Sequence, residues 1–162
     1  IGNRTFRKCS ALETITLPNT LTEIEHGAFQ SCSNLNTCVI PASVQVIGQG
    51  AFAECKSLTE IVIPDGVTRI EKDTYRATGV EEMVIPASVT YIGDYAFRDS
   101  YSMRKLYIMA ESLDHISSNA LLWAANPDKT ARLTVYVKNE TVRQQVEAVF
   151  GSNKPLFTAE IM

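Results

Sequence analysis

The sequence predicts a repeat solenoid, in which successive turns of one coil stack on each other and line up a parallel β-sheet. Three observations predict this fold class. Hydrophobic positions recur with a period close to 23 residues over about 140 residues. An alternating apolar triplet, such as "IVI" at 61–63, occurs once in each of these periods. Proline follows the triplet at positions 18, 41, 64 and 86.

Composition excludes several classes of protein. The 162 residues are 45% hydrophobic and 20% charged, which is typical of a folded chain and not of a disordered one. A net charge of -3 gives no basic face for nucleic acid. No apolar run approaches the ~20 residues that cross a bilayer. Because the chain begins at Ile1 and not at Met, we expect a processed or trimmed start, and a missing secretion signal is uninformative.

The repeats divide most of the chain into six turns. The predicted boundaries are 1–23, 24–46, 47–69, 70–91, 92–115 and a degenerate 116–138. Ile opens each turn, at positions 1, 24, 47, 70, 92 and 116. The aromatic position reads Phe6, Phe29, Phe52, Tyr75, Phe97 and then Leu121. One turn cannot bury its own apolar face, so we expect the turns to stack about 4.8 Å apart around a continuous core.

Each element of a turn has a physical reason. In the "I-x-I" triplet two apolar side chains share one face of a short strand, and the middle residue faces water. Proline lacks an N–H for a neighbouring strand, so it marks the end of the ladder. Small or turn-forming pairs such as Asp65-Gly66 follow it and suit a corner. The "I-G-x-x-A-F" segment then returns on the opposite side with its Ile and Phe inward.

The sequence pattern of residues 139–162 predicts a cap at the C-terminal end of the repeats, which occupy residues 1–138. Asn139 is a suitable N-cap for a helix over 139–150, and Gly151 is a suitable stop. Its apolar face would consist of Val142, Val146, Val149 and Phe150. A terminal strand is expected at about 156–162, and Trp123 is expected to pack where the last turn meets the cap.

At the other end the chain starts directly in repeat phase. We expect an exposed apolar edge there, formed by Ile1, Phe6, Ile15 and Leu17. Such an edge is an aggregation liability unless it is covered. We therefore expect that the chain belongs to a longer array or has lost upstream turns.

The full repeat, "IGxxAFxxCxxLxxIxIP", resembles the BspA-type leucine-rich repeat of bacterial and protist surface proteins. The resemblance implies a β-rich fold of the α/β-type leucine-rich-repeat class. It would be a right-handed coil with a parallel sheet on its concave face, ending in a capping helix and strand. Turn four departs from the pattern because it lacks one residue and has Thr78 in place of Cys. Turn five has Ser100 for Cys and Met109 for Pro.

Cys9, Cys32 and Cys55 occupy one repeat position, 23 residues apart each time. Zinc sites need clustered ligands such as C-x₂-C, and this spacing has none. Stacked turns bring successive cysteines side by side, but with parallel Cβ vectors, which disfavours disulfides. We therefore expect a buried ladder of reduced thiols. Cys38 replaces Ile at a core strand position, where we expect packing alone.

No catalytic constellation is visible. His26 and His115 lie on distant turns without a repeated acidic or thiol partner, so we expect surface histidines. The sequence has no phosphate-binding glycine loop, no G-x-S-x-G and no H-E-x-x-H. We expect no enzyme activity, no cofactor and no metal.

The outward rows of the strands are the candidate site. The middle row reads Thr16, Val39, Val62, Val84, Tyr107 and Tyr136, and charged positions beside it include Glu60, Glu82, Arg104 and Lys105. We expect cross-strand pairs between Glu82 and Lys105 and between Glu81 and Arg104. Three valines leading to two tyrosines form an apolar stripe of the kind found at protein-binding surfaces, although ordinary solvated strands also explain the rows.

The resemblance implies a non-catalytic cell-surface or secreted module that binds host or matrix proteins. A structural spacer that displays another domain is the alternative, and a carrier attached to a hydrolase is a third class. Neither nucleic-acid binding nor membrane insertion of this piece is expected. The outward residues of turns one and two are more typical of a spacer, whereas those of turns four to six are more typical of a binding surface.

Overall fold

The strands form two parallel rows on opposite sides of one coil, which we call the front sheet and the back sheet, and each row consists of two hydrogen-bonded sheets. The computed structural model describes residues 1–122, 124, 132–150 and 157–162, with only the backbone described at Phe150. The front sheet contains β1 (Thr14–Ile15), β3 (Thr37–Cys38), β6 (Glu82–Ile85), β8 (Lys105–Ile108), β10 (Leu133–Val137) and β11 (Phe157–Ile161). The back sheet contains β2 (Glu23–Ile24), β4 (Val46–Ile47), β5 (Arg69–Ile70), β7 (Tyr91–Ile92) and β9 (His115–Ile116). Neighbouring strands come from successive turns, and all pairs are parallel. The predicted solenoid is confirmed.

The alternation of the strand triplets sets which side chains enter the core. In β6, Met83 and Ile85 are buried whereas Glu82 and Val84 are exposed. The strand ends before Pro86, which has no N–H to continue the ladder. The repeating Ile of the back strands points inward too, so the two sheets close the core from opposite sides.

The aromatic position forms a ladder of rings through the core. Phe29, Phe52, Tyr75 and Phe97 are buried, and each ring stacks on the ring one turn away. Centroid separations are 5.3 Å for Phe29–Phe52 but 6.0 Å for Phe52–Tyr75. Stacked aromatic pairs stabilise a core beyond the area that they bury. The predicted inward position of these rings is therefore confirmed.

The cysteine position supplies a hydrogen-bond donor as well as packing. The Cys32 Sγ donates to the Phe6 carbonyl at 3.0 Å, and the Cys55 Sγ donates to the Phe29 carbonyl at 3.1 Å. In turn five, the Ser100 hydroxyl donates to the Tyr75 carbonyl at 2.9 Å. A thiol and a hydroxyl are interchangeable here because each donates one hydrogen bond to the ring residue of the preceding turn.

The predicted thiol ladder is wrong at its first member. All four cysteines are free, and Cys32, Cys38 and Cys55 are buried, but Cys9 is exposed. Cys9 lies in turn one, where the described residues leave it exposed. The prediction of an exposed N-terminal edge errs in the opposite direction, because its apolar side chains are less exposed than expected. Leu17 is buried, and Ile1, Phe6 and Ile15 are partly buried against the core, because the second turn covers part of each side chain.

Loops on a third side connect the back strands to the front strands and form their own ladder of backbone hydrogen bonds. In turns one to five, the backbone of each loop is left-handed at two positions four residues apart, such as Gly50 (φ 62°) and Glu54 (φ 64°). Only glycine adopts this conformation without cost, yet most of these positions hold other residues. The hydrogen-bond ladder keeps the loop shape constant from turn to turn.

Both sheets are interrupted between turns three and four, at a junction that we call the seam. On the front, residue 60 bridges back to Thr37, but no ladder within the described chain joins 61–63 to β6. On the back, β4 and β5 belong to different sheets. The loop ladder continues across, with Phe52 N–Thr74 O at 3.0 Å and Glu54 N–Arg76 O at 2.7 Å. The seam coincides with the turn that is one residue short.

A partly buried ion pair also crosses the seam. The Arg76 Nη2 lies 2.5 Å from the Glu54 Oε1, and the Ser31 hydroxyl donates to the other oxygen of the same carboxylate at 2.8 Å. The Ser31 hydrogen bond, followed by Arg76, lowers the pKa of Glu54. The two turns are therefore fastened together on the loop side.

The C-terminal segment completes the fold. Helix α1 (Glu140–Phe150) begins after Asn139, whose Oδ1 accepts a hydrogen bond from the Val142 N at 3.0 Å. This is the predicted N-cap. Val142 and Val146 are fully buried, and α1 packs on β9, β10 and β11. Strand β11 pairs with β10 and so lengthens the front sheet. The predictions for Gly151 and Trp123 fall outside the described residues.

Candidate functional site

The register of the front strands places the predicted outward row in one line. Val84 lies opposite Tyr107, and Tyr107 lies opposite Tyr136, on β6, β8 and β10. Glu160 of β11 continues the row. The structure therefore brings the candidate residues of the second half together on one face, as the repeat spacing predicts.

The valines of this row are among the most exposed apolar side chains of the described chain. Val39 is 80% exposed, Val62 76% and Val84 52%. Exposed single apolar residues are common on proteins, but these valines occupy equivalent positions of successive turns and so form a row. We call this row, from Val39 to Tyr136, the front stripe.

The two tyrosines of the front stripe form a stacked pair. Their ring centroids are 4.8 Å apart and the ring planes differ by 12°. Both tyrosine side chains are half-buried. Such a pair offers a large amphipathic contact area whose conformation is already fixed.

Charged side chains flank the front stripe. The Lys105 Nζ lies 2.8 Å from the Glu82 Oε1, which confirms the predicted cross-strand pair. The Glu82 carboxylate raises the pKa of Lys105. Because both groups are exposed, the pair contributes little to stability, and it sets the charge pattern of the surface instead.

The second predicted pair does not form as an ion pair. The Arg104 N donates to the Glu81 carbonyl at 2.8 Å, so the two residues are neighbours across the strands. The Arg104 guanidinium, however, donates to the Tyr101 carbonyl at 2.8 Å and to the Met103 carbonyl at 3.0 Å. Those carbonyls lie in the loop that enters β8, and they hold the guanidinium away from Glu81.

A shallow apolar groove crosses the front sheet at the seam. Its volume is about 600 Å³. We call it the front groove, and its lining includes Glu60, Val62, Asp65, Glu82, Val84 and Met109. It lies where the strands of turns three and four are not joined by a ladder. Two members of the front stripe, Val62 and Val84, line the groove, with carboxylates beside them.

The back sheet carries a second stack of side chains that the prediction missed, in which Arg69 and His115 are exposed and Tyr91 is half-buried. The Arg69 guanidinium carbon lies 3.6 Å from the centroid of the Tyr91 ring, and the His115 ring lies 4.8 Å from the same ring. The register pairs Tyr91 with Arg69 on one side and with His115 on the other. The signal was available in the sequence, since each residue immediately precedes the repeating Ile of its turn.

The predicted surface histidines are found at the surface. His115 is exposed and its partner is the Tyr91 ring. His26 is half-buried, and its Nε2 lies 3.2 Å from the Arg4 Nη2. Across the described ranges, no three His, Cys, Asp or Glu side chains are grouped so as to hold a metal ion. In the same ranges, no helix has the length and apolarity required to span a bilayer.

Comparison with known families identifies the repeat. The profile of the BspA type leucine rich repeat region matches six copies over residues 1–124. The chain belongs to this family. The resemblance drawn from "IGxxAFxxCxxLxxIxIP" is thereby confirmed. Among curated proteins, none matches the sequence.

Solved leucine-rich repeat structures share the fold. The T. pallidum leucine-rich repeat protein is 29% identical, with a TM-score of 0.64 over 67% of this chain and 51% of that one. A leucine-rich cell surface protein from Faecalibacterium prausnitzii is 25% identical, with a TM-score of 0.67 over 85% of this chain and 45% of that one. The pneumococcal vaccine antigen PcpA, at 18% identity and a TM-score of 0.64, shows the fold alone. The chain thus spans about half of the first two relatives.

Proposed function

We propose that this BspA-type repeat chain is a non-catalytic recognition module that binds a protein partner through the front stripe. The observation that carries the proposal is the stripe itself. Three exposed valines, at 80%, 76% and 52%, lead to the stacked pair of Tyr107 and Tyr136. We propose further that the module acts at a bacterial cell surface or in a secreted protein.

The physical argument is one of preorganisation. A partner that covers the front stripe removes apolar area from water, which yields about 25 cal/mol per Å². Val84, Tyr107 and Tyr136 are already fixed by the paired strands β6, β8 and β10, so little conformational entropy is lost when a partner binds there. Tyrosines are enriched at binding hot spots because they combine apolar area with a polar tip. We expect Tyr107 and Tyr136 to be the anchors, with Lys105, Glu82 and Arg104 setting specificity at the rim.

The location is supported by the relatives. The F. prausnitzii protein is described as a leucine-rich cell surface protein. Its sequence is 25% identical to this chain over most of the chain's length. A surface location suits a rigid module whose broad sheet is available to large partners.

A structural spacer is the second candidate, and turns one and two favour it. Thr14 lies opposite Thr37, and the middle row begins with Thr16, so apart from Val39 these turns present little for a partner to recognise. In this alternative the turns only set the distance between other parts of a surface protein, and the front stripe is ordinary strand surface.

The two functions differ in a direct binding measurement. The chain would be immobilised and tested by surface plasmon resonance against a panel of purified extracellular-matrix and host-surface proteins. We expect Tyr107→Ala/Tyr136→Ala to weaken binding at least about tenfold, because each anchor contributes ~1–2 kcal/mol. Tyr91→Ala on the back sheet is the matched control and should bind normally. Unchanged binding by the double variant would contradict the proposal, and a panel without any binder would favour the spacer.

A further inference from the structure

The front groove has unpaired carboxylates beside an apolar floor. Val62 and Val84 supply the exposed apolar walls, and Met109 extends them. Glu60 and Asp65 are exposed members of the lining, and no described cation pairs with either of them. Glu82 is also in the lining, but its carboxylate is bound by Lys105. Two negative charges are therefore available to a ligand.

This combination selects the chemistry of an occupant. An arginine side chain has an apolar stem that packs on valines and a guanidinium that pairs with a carboxylate. An acidic segment would be repelled, and a purely apolar segment would leave the carboxylates beside a desolvated surface without partners. Charge complementarity thus favours a basic occupant with an apolar centre.

We propose that the front groove binds an extended segment of a protein partner in which two arginines flank an apolar residue at two-residue spacing. The apolar side chain lies between Val62 and Val84, and the arginines pair with Glu60 and Asp65. This inference rests on the proposed function of the front stripe and names the partner's chemistry at one place on it.

The spacing of the segment follows from strand geometry. Glu60 and Asp65 are five residues apart, which is at most ~16 Å along an extended chain. In an extended partner, residues i, i+2 and i+4 point to the same side, and residues i and i+4 are ~13 Å apart. Long arginine side chains close the remaining difference. The motif that fits is therefore Arg-x-Val-x-Arg, with small polar residues at x.

A labelled peptide tests the groove without the whole partner. The probe is a fluorescein-labelled heptapeptide, Gly-Arg-Ser-Val-Ser-Arg-Gly, titrated with the chain by fluorescence polarisation at about 0.15 M salt, where exposed charges act only over ~8 Å. We expect saturable binding below about 1 mM. Replacing both arginines by glutamate should abolish it, and replacing valine by serine should weaken it.

Matched variants locate the site. We expect Glu60→Gln and Asp65→Asn each to weaken peptide binding about threefold to tenfold, as for loss of a charge-assisted hydrogen bond. Glu13→Gln removes the same charge from an exposed residue of turn one and should change nothing. The proposal is overturned if the peptide does not bind up to about 1 mM, or if Glu13→Gln weakens binding as much as Glu60→Gln does.

One further variant separates this inference from the proposed function. Tyr107→Ala/Tyr136→Ala leaves the groove lining intact, so it should bind the peptide normally while losing a full protein partner. If the double variant loses the partner but Glu60→Gln and Asp65→Asn leave peptide binding unchanged, the stripe is a binding surface and the groove proposal fails alone. If the groove variants act as expected and the tyrosine variant keeps its partner, the proposed anchors are wrong.

Discussion

Turns one to three and turns four to six are constructed differently around the same core. In the first half the front strands β1 and β3 have two residues each, whereas β6 and β8 have four and β10 has five. The ring ladder nevertheless runs through both halves without interruption. Strand pairing therefore does not determine the path of the coil. The buried Ile, Leu and ring positions determine the path of the coil, and the length of the paired strands varies without changing it.

The difference between the two halves also bears on the proposed function, because stability and recognition depend on different features. The first half depends on its core and on the loop ladder, and of the front stripe it carries only the two valines Val39 and Val62. The second half has a continuous four-stranded sheet, and it carries the stacked tyrosines and the Glu82–Lys105 pair. A longer paired strand holds an outward side chain more rigidly, which is what a preformed binding surface needs.

The largest effect is expected from removing a ring at the seam. Phe52→Ala should lower the free energy of unfolding by about 3–5 kcal/mol, because it leaves a cavity between the Phe29 and Tyr75 rings. Urea denaturation measures the loss. Hydrogen exchange should accelerate most in turns one to three, where few strand hydrogen bonds compensate. Equal acceleration in β8 and β10 would contradict the comparison between the halves.

A methyl group at Gly79 should strain the seam directly. An added Cβ would lie 2.4 Å from the Lys56 carbonyl oxygen, and backbone cannot move aside as a flexible side chain can. We expect Gly79→Ala to cost about 1–3 kcal/mol of unfolding free energy, measured by urea denaturation. Gly2→Ala is the control, since its nearest neighbour is the Thr5 Oγ1 at 3.5 Å. A neutral Gly79→Ala would show that turns three and four can separate freely.

High pH should destabilise the first half through its thiols. Burial raises the pKa of Cys38 from 9.0 to about 12, and burial raises the pKa of Cys55 as well. The folded state thus holds these protons more tightly than the unfolded state. The stabilisation is complete below pH 9 and is lost as pH rises toward 12, by up to about 1.4 kcal/mol per pH unit for each thiol.

The measurement is the free energy of unfolding across this pH range for the wild type and for Cys38→Ile. The isoleucine is present at the equivalent positions 15 and 61. The variant should show a shallower alkaline decline. An identical decline would mean that Cys38 does not contribute to it, because the pKa of its thiol would then be the same in the folded and unfolded states. Thiol labelling gives an independent check, because only the exposed Cys9 should react in the folded chain and all four after unfolding.

The smallest effects are expected at the repeated cysteine position, where variants compare a thiol donor with a hydroxyl donor. We expect Cys55→Ala to cost about 0.5–1.5 kcal/mol through loss of its hydrogen bond to the Phe29 carbonyl, and Cys55→Ser to cost less. Ser100→Ala should cost less than Cys55→Ala, since the Thr78 hydroxyl also donates to the Tyr75 carbonyl. Thermal unfolding ranks the three variants. A serine variant weaker than the alanine variant would show that the position serves packing alone.

The sequence predicts those features that the period determines. Repeat spacing places Tyr107 beside Tyr136 and Glu82 beside Lys105, because stacked turns bring equivalent positions together. It does not determine side-chain direction, so the expected Glu81–Arg104 pair was wrong once loop carbonyls captured the guanidinium. It also does not reveal the seam or the front groove. These depend on how one deleted residue changes the fit between two turns.

The Arg69–Tyr91–His115 stack was missed for a different reason. Its residues occupy one repeat position, but they differ in type from each other. They also differ from Glu23 and Val46, which occupy the same position in the first turns. A search for recurring residue types cannot find a stack of unlike residues. A search for complementary neighbours at equivalent positions would have found it.

The one-sided fastening of the seam has a mechanical consequence. Under the proposed function, a partner that is pulled away loads the coil with tension, and a coil opens first where the fewest hydrogen bonds join adjacent turns. At the seam the described residues provide loop hydrogen bonds and the Glu54–Arg76 pair but no strand ladder. We expect force along the coil axis to separate turns three and four first, and single-molecule extension would record that step as the earliest rupture. Turns four to six would remain folded at a force that has already separated them from turn three.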